Sequence, residues 1–430
     1  MRHWLARGAF ALAALAVLLA AAVGWLNRLD EAPLAAAAVT AATAAPASAE
    51  LIARGAYLAR AGNCRGCHTA TGGVPYAGGR GVPTPFGTVY APNLTPDPAT
   101  GLGAWSAAEF WRALHNGRSR DGRLLYPAFP YPNYTRITRA DSDALHAFLQ
   151  SLPPLVQPNP PHALAFPFDQ QAALAVWRAL YFRPERAETD PARSAEWNRG
   201  AYLVEGLGHC NACHASRNAL GAASSTLDLA GGLIPVQNWY APSLTSADEA
   251  SVAGWETPHI VALLRSGVSA RGAVAGPMGE VVGGSTQHLT EPDLNAMAAY
   301  LKALPQTPAA PTPREPPVAP AANGPGGKLY AQHCAQCHGE QGEGVAGIYP
   351  ALAGSRAVTM KVSANLVHIV LEGGFPPSTA ANPRPYGMPP FTTVLSTEDV
   401  AQLLTHVRGS WGNRGAPVSA LEVTKYRGEK

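Results

Sequence analysis

The chain has six cysteines, and all fall into three frames of one type. These are Cys64-Arg65-Gly66-Cys67-His68, Cys210-Asn211-Ala212-Cys213-His214 and Cys334-Ala335-Gln336-Cys337-His338. A disulfide scaffold pairs cysteines far apart in sequence and has no need of a histidine after each pair. Two thiols three positions apart near a helix start can form thioethers to two edge substituents of one porphyrin. The following imidazole then reaches the iron from the proximal side. The reading is three covalently attached haem c groups, with Cys64, Cys67, Cys210, Cys213, Cys334 and Cys337 as attachment points. His68, His214 and His338 are the expected proximal iron ligands.

A second axial ligand must come from elsewhere, usually a methionine or histidine distant in sequence. Of five methionines, Met1 is irrelevant, and Met297 and Met360 read as core or as too close to a haem frame. Met278 in Gly276-Pro277-Met278-Gly279 and Met388 in Tyr386-Gly387-Met388-Pro389-Pro390 stand among Gly and Pro. Both are expected on loops, each holding a thioether over an iron. A sulfur ligand favours ferrous iron and raises the potential relative to two histidines.

The first frame has no such partner. Phe129 lies 12 positions beyond Gly117, as Met278 lies 11 beyond Gly267, and no methionine stands between Met1 and Met278. For that iron the reading leaves three options: His115, another group such as His146 or His162, or an open position.

Positioning these groups requires helices, and the chain repeats its helical signals. Arg54-Gly55-Ala56-Tyr57-Leu58, Arg199-Gly200-Ala201-Tyr202-Leu203 and Gly327-Lys328-Leu329-Tyr330 lead into the three frames, each as a short helix with its tyrosine on the apolar face. Middle helices are predicted near 107–115, 257–265 and 364–371. Closing helices are predicted over 138–150, 290–303 and 397–407, with acids in their first turns. A further apolar helix is predicted over 169–181, packing across two haem domains or onto a partner rather than running as a free linker.

The fold class that follows is all-α: three tandem class I cytochrome c-like domains after an N-terminal apolar helix. The expected boundaries are 1–30 for the anchor or leader, 31–49 for an Ala/Pro-rich linker and 50–155 for domain 1. A linker with a packed helix covers 156–193, domain 2 covers 194–305, a Pro-rich linker 306–322, domain 3 323–412 and a tail 413–430. The uncharged run from Gly8 to Leu26, preceded by Arg2, His3 and Arg7, suits a membrane span with its N-terminus inside. Cleavage near Ala47-Ser48-Ala49 is the alternative. A net charge of +3 with no basic, aromatic-interleaved run gives no support to nucleic-acid binding.

Over residues 50–412 the chain resembles the triple-haem cytochrome c subunits of bacterial membrane-bound dehydrogenases. The resemblance is carried by the three frames, Ala91-Pro92-Asn93-Leu94-Thr95, Gly122-Arg123-Leu124-Leu125-Tyr126-Pro127-Ala128, Tyr131-Pro132-Asn133-Tyr134-Thr135, Met388-Pro389-Pro390-Phe391 and Ser410-Trp411-Gly412-Asn413. It implies a partner catalytic subunit, either a quinoprotein, a flavoprotein or a molybdenum enzyme, oxidising its substrate in the periplasm. Electrons would then pass to membrane ubiquinone or another acceptor, with no catalysis by this chain alone. It also implies Met278 and Met388 as axial ligands, with Phe129 standing where many members carry methionine. Two other readings stay open: a peroxide- or small-ligand-reactive multihaem enzyme, and a free-standing periplasmic shuttle.

Overall fold

The computed structural model describes residues 2–31, 47–223, 228–308 and 321–427. Most of the Ala/Pro-rich linker expected at 31–49 and of the Pro-rich linker at 306–322 lies outside these residues, as does the end of the tail.

The principal helices are α1 (Arg2–Leu26), α2 (Ala49–Ala61), α3 (Ala107–Asn116), α4 (Arg139–Gln150), α5 (Gln171–Tyr181) and α6 (Ala195–Ala201). They are followed by α7 (Thr257–Ser266), α8 (Pro277–Gly284), α9 (Glu291–Lys302), α10 (Pro325–His333), α11 (Ala364–Glu372), α12 (Thr397–Gly409) and α13 (Ala420–Arg427). Their ends follow local chemistry. Ser106 and Glu109 form a reciprocal capping box on α3, and Gly117 closes it in the left-handed conformation. Ser396 and Asp399 repeat the box on α12, while Thr138 and Thr290 cap α4 and α9.

The chain divides into two compact units. One comprises residues 1–59, 67–189 and 219–222, and the other 60–66, 190–218 and 223–430. The first holds α3, α4 and most of α2. The second holds two such sets, α6–α7–α9 and α10–α11–α12, where the sequence reading expects separate domains. They are joined by direct bonds. Arg356 donates to the carbonyl oxygens of Ala247 and Ser251, and Asn365 pairs with the backbone of Tyr240.

In every set the leading helix crosses the closing helix at a glycine. A Cβ on Gly55 would meet the Ala144 carbonyl oxygen at 1.9 Å, one on Gly200 that of Ala296 at 2.0 Å, and one on Gly326 that of Gln402 at 2.2 Å. Tyr57 and Tyr202 follow their crossing glycines by two residues, but Tyr330 follows Gly326 by four, so it is not their counterpart. In two sets an ion pair braces the crossing. Arg54 Nε lies 2.8 Å from Asp141, and Arg199 grips both oxygens of Asp293 at 2.8 Å.

The chain is mostly helical but not purely so. An antiparallel sheet joins β1 (Gly81–Thr84), β2 (Gly87–Tyr90) and β3 (Ala163–Leu164) in that order, with Gly81 opposite Tyr90 and Gly87 opposite Leu164. Two-residue strand pairs join 232–233 with 240–241 and 268–269 with 272–273. Such short pairs carry too little alternation to show in the sequence. Residues Tyr202–Leu207 extend α6 as a π-helix, lengthening the lead into Cys210.

Candidate haem sites

None of the six cysteines is in a disulfide, and each is at least partly exposed. The frames fold as single helical turns, Cys64–Cys67, Asn211–His214 and Ala335–His338. This gives the two thiols and the histidine of a frame the spacing of one helical turn.

Each histidine is held in the same way at two points. The ring atom Nδ1 of His68 lies 2.8 Å from the Pro92 carbonyl oxygen, that of His214 2.7 Å from Pro242, and that of His338 3.0 Å from Pro350. The histidine's own carbonyl accepts a backbone N–H from Gly78, Gly231 or Gly344 at 2.9, 2.8 and 2.8 Å. These glycines have φ of 77°, 80° and 62°. A Cβ on any of them would strike the backbone beside the same proline, at 2.5 Å from Pro92 C, Ser243 N and Tyr349 O respectively. Glycine is therefore required in each loop both for its dihedral angles and for space.

The electronic consequence is uniform. Burial pushes all three imidazoles below their ordinary pKa, with the proline carbonyl partly opposing the shift. A neutral ring donating from Nδ1 keeps its Nε2 lone pair for a metal, the arrangement that orients histidine ligands generally. Burial also pushes the Cys210 thiol up to about 12 and that of Cys334 up to about 11. Among the described residues no group of three or more His, Cys, Asp or Glu side chains could cage a bare metal ion. The paired thiols with one oriented imidazole fit a c-type haem.

Further segments clamp each proline loop. Asn93 N–H donates to Asn159 at 2.7 Å and Tyr90 N–H to His162 Nδ1 at 3.1 Å. Asn365 holds Tyr240, and Asn413 accepts from Gly354 N–H and donates to the Leu352 carbonyl. Asn159, Asn365 and the three glycines escape sequence reading. The glycines follow their histidines at irregular intervals of ten, seventeen and six residues, so no fixed-period search finds them.

Met388 is pinned by a two-way backbone pair with Gly374, at 2.8 and 3.0 Å, and packs on the core of the last helix set. Met278 is not on an open loop as expected. It occupies the first turn of α8, entered through Gly276 at φ 53°, because Pro277 is well suited to a helix start. Met297 and Met360 are buried, in keeping with a core role.

Around the first frame, the structure engages each histidine considered for its iron. His115 is buried, with Nδ1 2.8 Å from the Thr135 carbonyl oxygen and Nε2 3.3 Å from Asp30, and its ring stacks on Trp111. His146 Nε2 lies 3.1 Å from the Trp105 carbonyl oxygen, and His162 serves the proline loop. Phe129 packs beside Tyr134.

The cytochrome c family model matches residues 52–153 and 324–411. The cytochrome c subunit of a quinone-type alcohol dehydrogenase from Gluconacetobacter polyoxogenes is 39% identical over 89% of this chain and 85% of its own length. That of gluconate 2-dehydrogenase from Pantoea cypripedii is 36% identical over 88% and 89%. The fructose dehydrogenase cytochrome subunit from Gluconobacter japonicus is 34% identical over 89% and 84%. With repeated haem-type loops and relatives aligned over most of its length, this chain belongs to the family of cytochrome c subunits of dehydrogenase complexes, as an electron-transfer rather than a catalytic chain.

Proposed function

We propose that the chain carries three covalent haem c groups and relays electrons from the catalytic subunit of a periplasmic dehydrogenase to membrane ubiquinone or another respiratory acceptor. The observation that carries this reading is the loop of histidine, positive-φ glycine and proline carbonyl, built three times over. It includes the middle frame at Cys210–His214, which lies outside the two matched family regions.

Haem supplies one-electron iron chemistry when bound. The chain's part is to orient and to tune. Cys64 and Cys67, Cys210 and Cys213, and Cys334 and Cys337 attach the groups, while His68, His214 and His338 are fixed as neutral ligands. Met278 and Met388 serve as the second ligands of the middle and last sites. His115, His146 and His162 each bond elsewhere, which supports a first iron that takes none of these three. The relatives' names point to a quinoprotein or other dehydrogenase as partner, and α1 points to the periplasmic face of the cytoplasmic membrane with an N-terminal anchor. The three-domain boundaries given above belong to the same proposal.

Haem stoichiometry decides the matter. Pyridine haemochrome absorbance with intact-chain mass is expected to give three haems per chain, and one fewer in each of Cys67→Ala, Cys213→Ala and Cys337→Ala. Two haems in the unaltered chain, with the same haem content in Cys213→Ala, would refute the middle site.

A further inference from the structure

The helix α1 is 25 residues long and exposed along almost its whole length, with Trp4 and Trp25 near its ends. These tryptophans are 21 residues apart, about 31 Å at 1.5 Å per residue, against about 30 Å for a bilayer's hydrocarbon core. Tryptophans at that separation suit the two interfaces of a spanning helix. Two residues after Trp25, the chain is bound to α5. Asn27 donates from Nδ2 to the Ala175 carbonyl oxygen at 2.9 Å and accepts from Arg178 Nε at 2.9 Å. If α1 spans a membrane, α5 therefore lies at the level of its outer interface.

The composition of α5 suits that level. Its sequence, QAALAVWRALY, has one charged residue, Arg178. That side chain is 3% exposed and turned inward, bonded to Asn27 and to the carbonyl oxygens of Asn116 and Gly117. The outward face carries Val176, Leu180 and Tyr181 at 48%, 62% and 39% exposure. A helix face turned to water normally bears charge; this one bears none. The half-buried Trp177 ring borders it, its Nε1 donating to the Leu220 carbonyl oxygen at 2.8 Å.

We infer that the outward face of α5 is an interfacial surface that rests in the headgroup region of the bilayer crossed by α1. The occupant is phospholipid, because the face is continuous with the exit of the spanning helix. The inference rests on α1 crossing the membrane and adds a second point of membrane contact for the first unit.

The test places photoreactive benzoylphenylalanine at position 180 of the full haem-loaded chain in its native membrane. Position 15, within α1 and exposed, serves as the control for the span, and haem absorbance reports folding of each chain. Phospholipid adducts at both 15 and 180 are the expected result. Lipid adducts at 15, with only protein adducts or none at 180, would overturn the inference while leaving the span intact. Absence of lipid adducts at both 15 and 180 would remove the span itself, and the inference with it.

Discussion

Asn365 grips both backbone polar atoms of Tyr240, accepting its N–H at 2.8 Å and donating to its carbonyl at 2.7 Å. Tyr240 stands two residues before Pro242, whose carbonyl oxygen orients His214. Glu249 secures the same strap from another side by accepting the Ser243 N–H at 2.6 Å. A side chain of the last helix set therefore holds the strap that orients the His214 imidazole in the middle one. Asn365→Ala leaves two backbone groups without protein partners, at a cost of about 1–3 kcal/mol. The expected outcome is a lower melting temperature and a shifted midpoint for the middle haem alone in a spectroscopic redox titration.

Met278→Leu and Met388→Leu are each expected to remove one methionine-ligated signature from the near-infrared magnetic circular dichroism spectrum. The affected potential should fall by roughly 0.1–0.3 V, within the span of about 0.8 V that axial ligation commands. Met297→Leu and Met360→Leu leave all signatures in place.

The first site gives the converse test. His115→Gln is expected to leave its haem spectrum unchanged, since both ring nitrogens bond elsewhere. F129M should add a third methionine-ligated signature and raise that potential. A change of spin state in His115→Gln would return His115 to the iron.

At the helix crossings, Gly55→Ala and Gly200→Ala each drive a Cβ into a carbonyl oxygen. An overpacked contact of this kind costs about 3 kcal/mol, measurable by denaturant unfolding of the haem-loaded chain. Gly254→Ala meets no atom within 4 Å and is the neutral comparison.

Asp30 supplies a pH signature. The Arg186 guanidinium at 2.6 Å holds its carboxyl below the ordinary carboxylate range against a smaller opposing effect of burial, with His115 adding to the depression. A depressed folded-state pKa contributes stability above the unfolded value of about 3.9, lost as pH falls through the folded one. Arg186 is largely exposed, so solvent screening keeps the contribution small. The melting-temperature gap between the unaltered chain and Asp30→Asn is expected to be steady at neutral pH and to close below about pH 4.

Much of this was legible in the residues alone, for definable reasons. Ser106 with Glu109, Ser396 with Asp399, and Gly117 mark helix ends because caps act within four residues. The middle helices accordingly run 107–116, 257–266 and 364–372, within a residue of expectation. The three frames are legible as repeats because they hold all six cysteines at one spacing, which a single helical turn accommodates. The Gly78, Gly231 and Gly344 loops were not, because the chain between histidine and glycine varies freely so long as both ends meet. Asn27 with Arg178 and Asn365 with Tyr240 are pairings across 151 and 125 positions, which no local pattern encodes. Gly276 and Pro277 read as breakers and so point to a loop at Met278, whereas a proline at the first turn opens a helix.

The exit of α1 has a consequence for motion. Asn27 is bound to α5 and Arg178, Asp30 to Arg186, and Glu31 to Arg118, so the helix joins the first unit as a stalk with no swivel. With α1 in a bilayer, that unit diffuses in two dimensions at one height and one tilt. A lipid-phase partner then meets the same side of it at every collision, and forfeits less rotational entropy on docking than it would against a domain swinging on a loose tether.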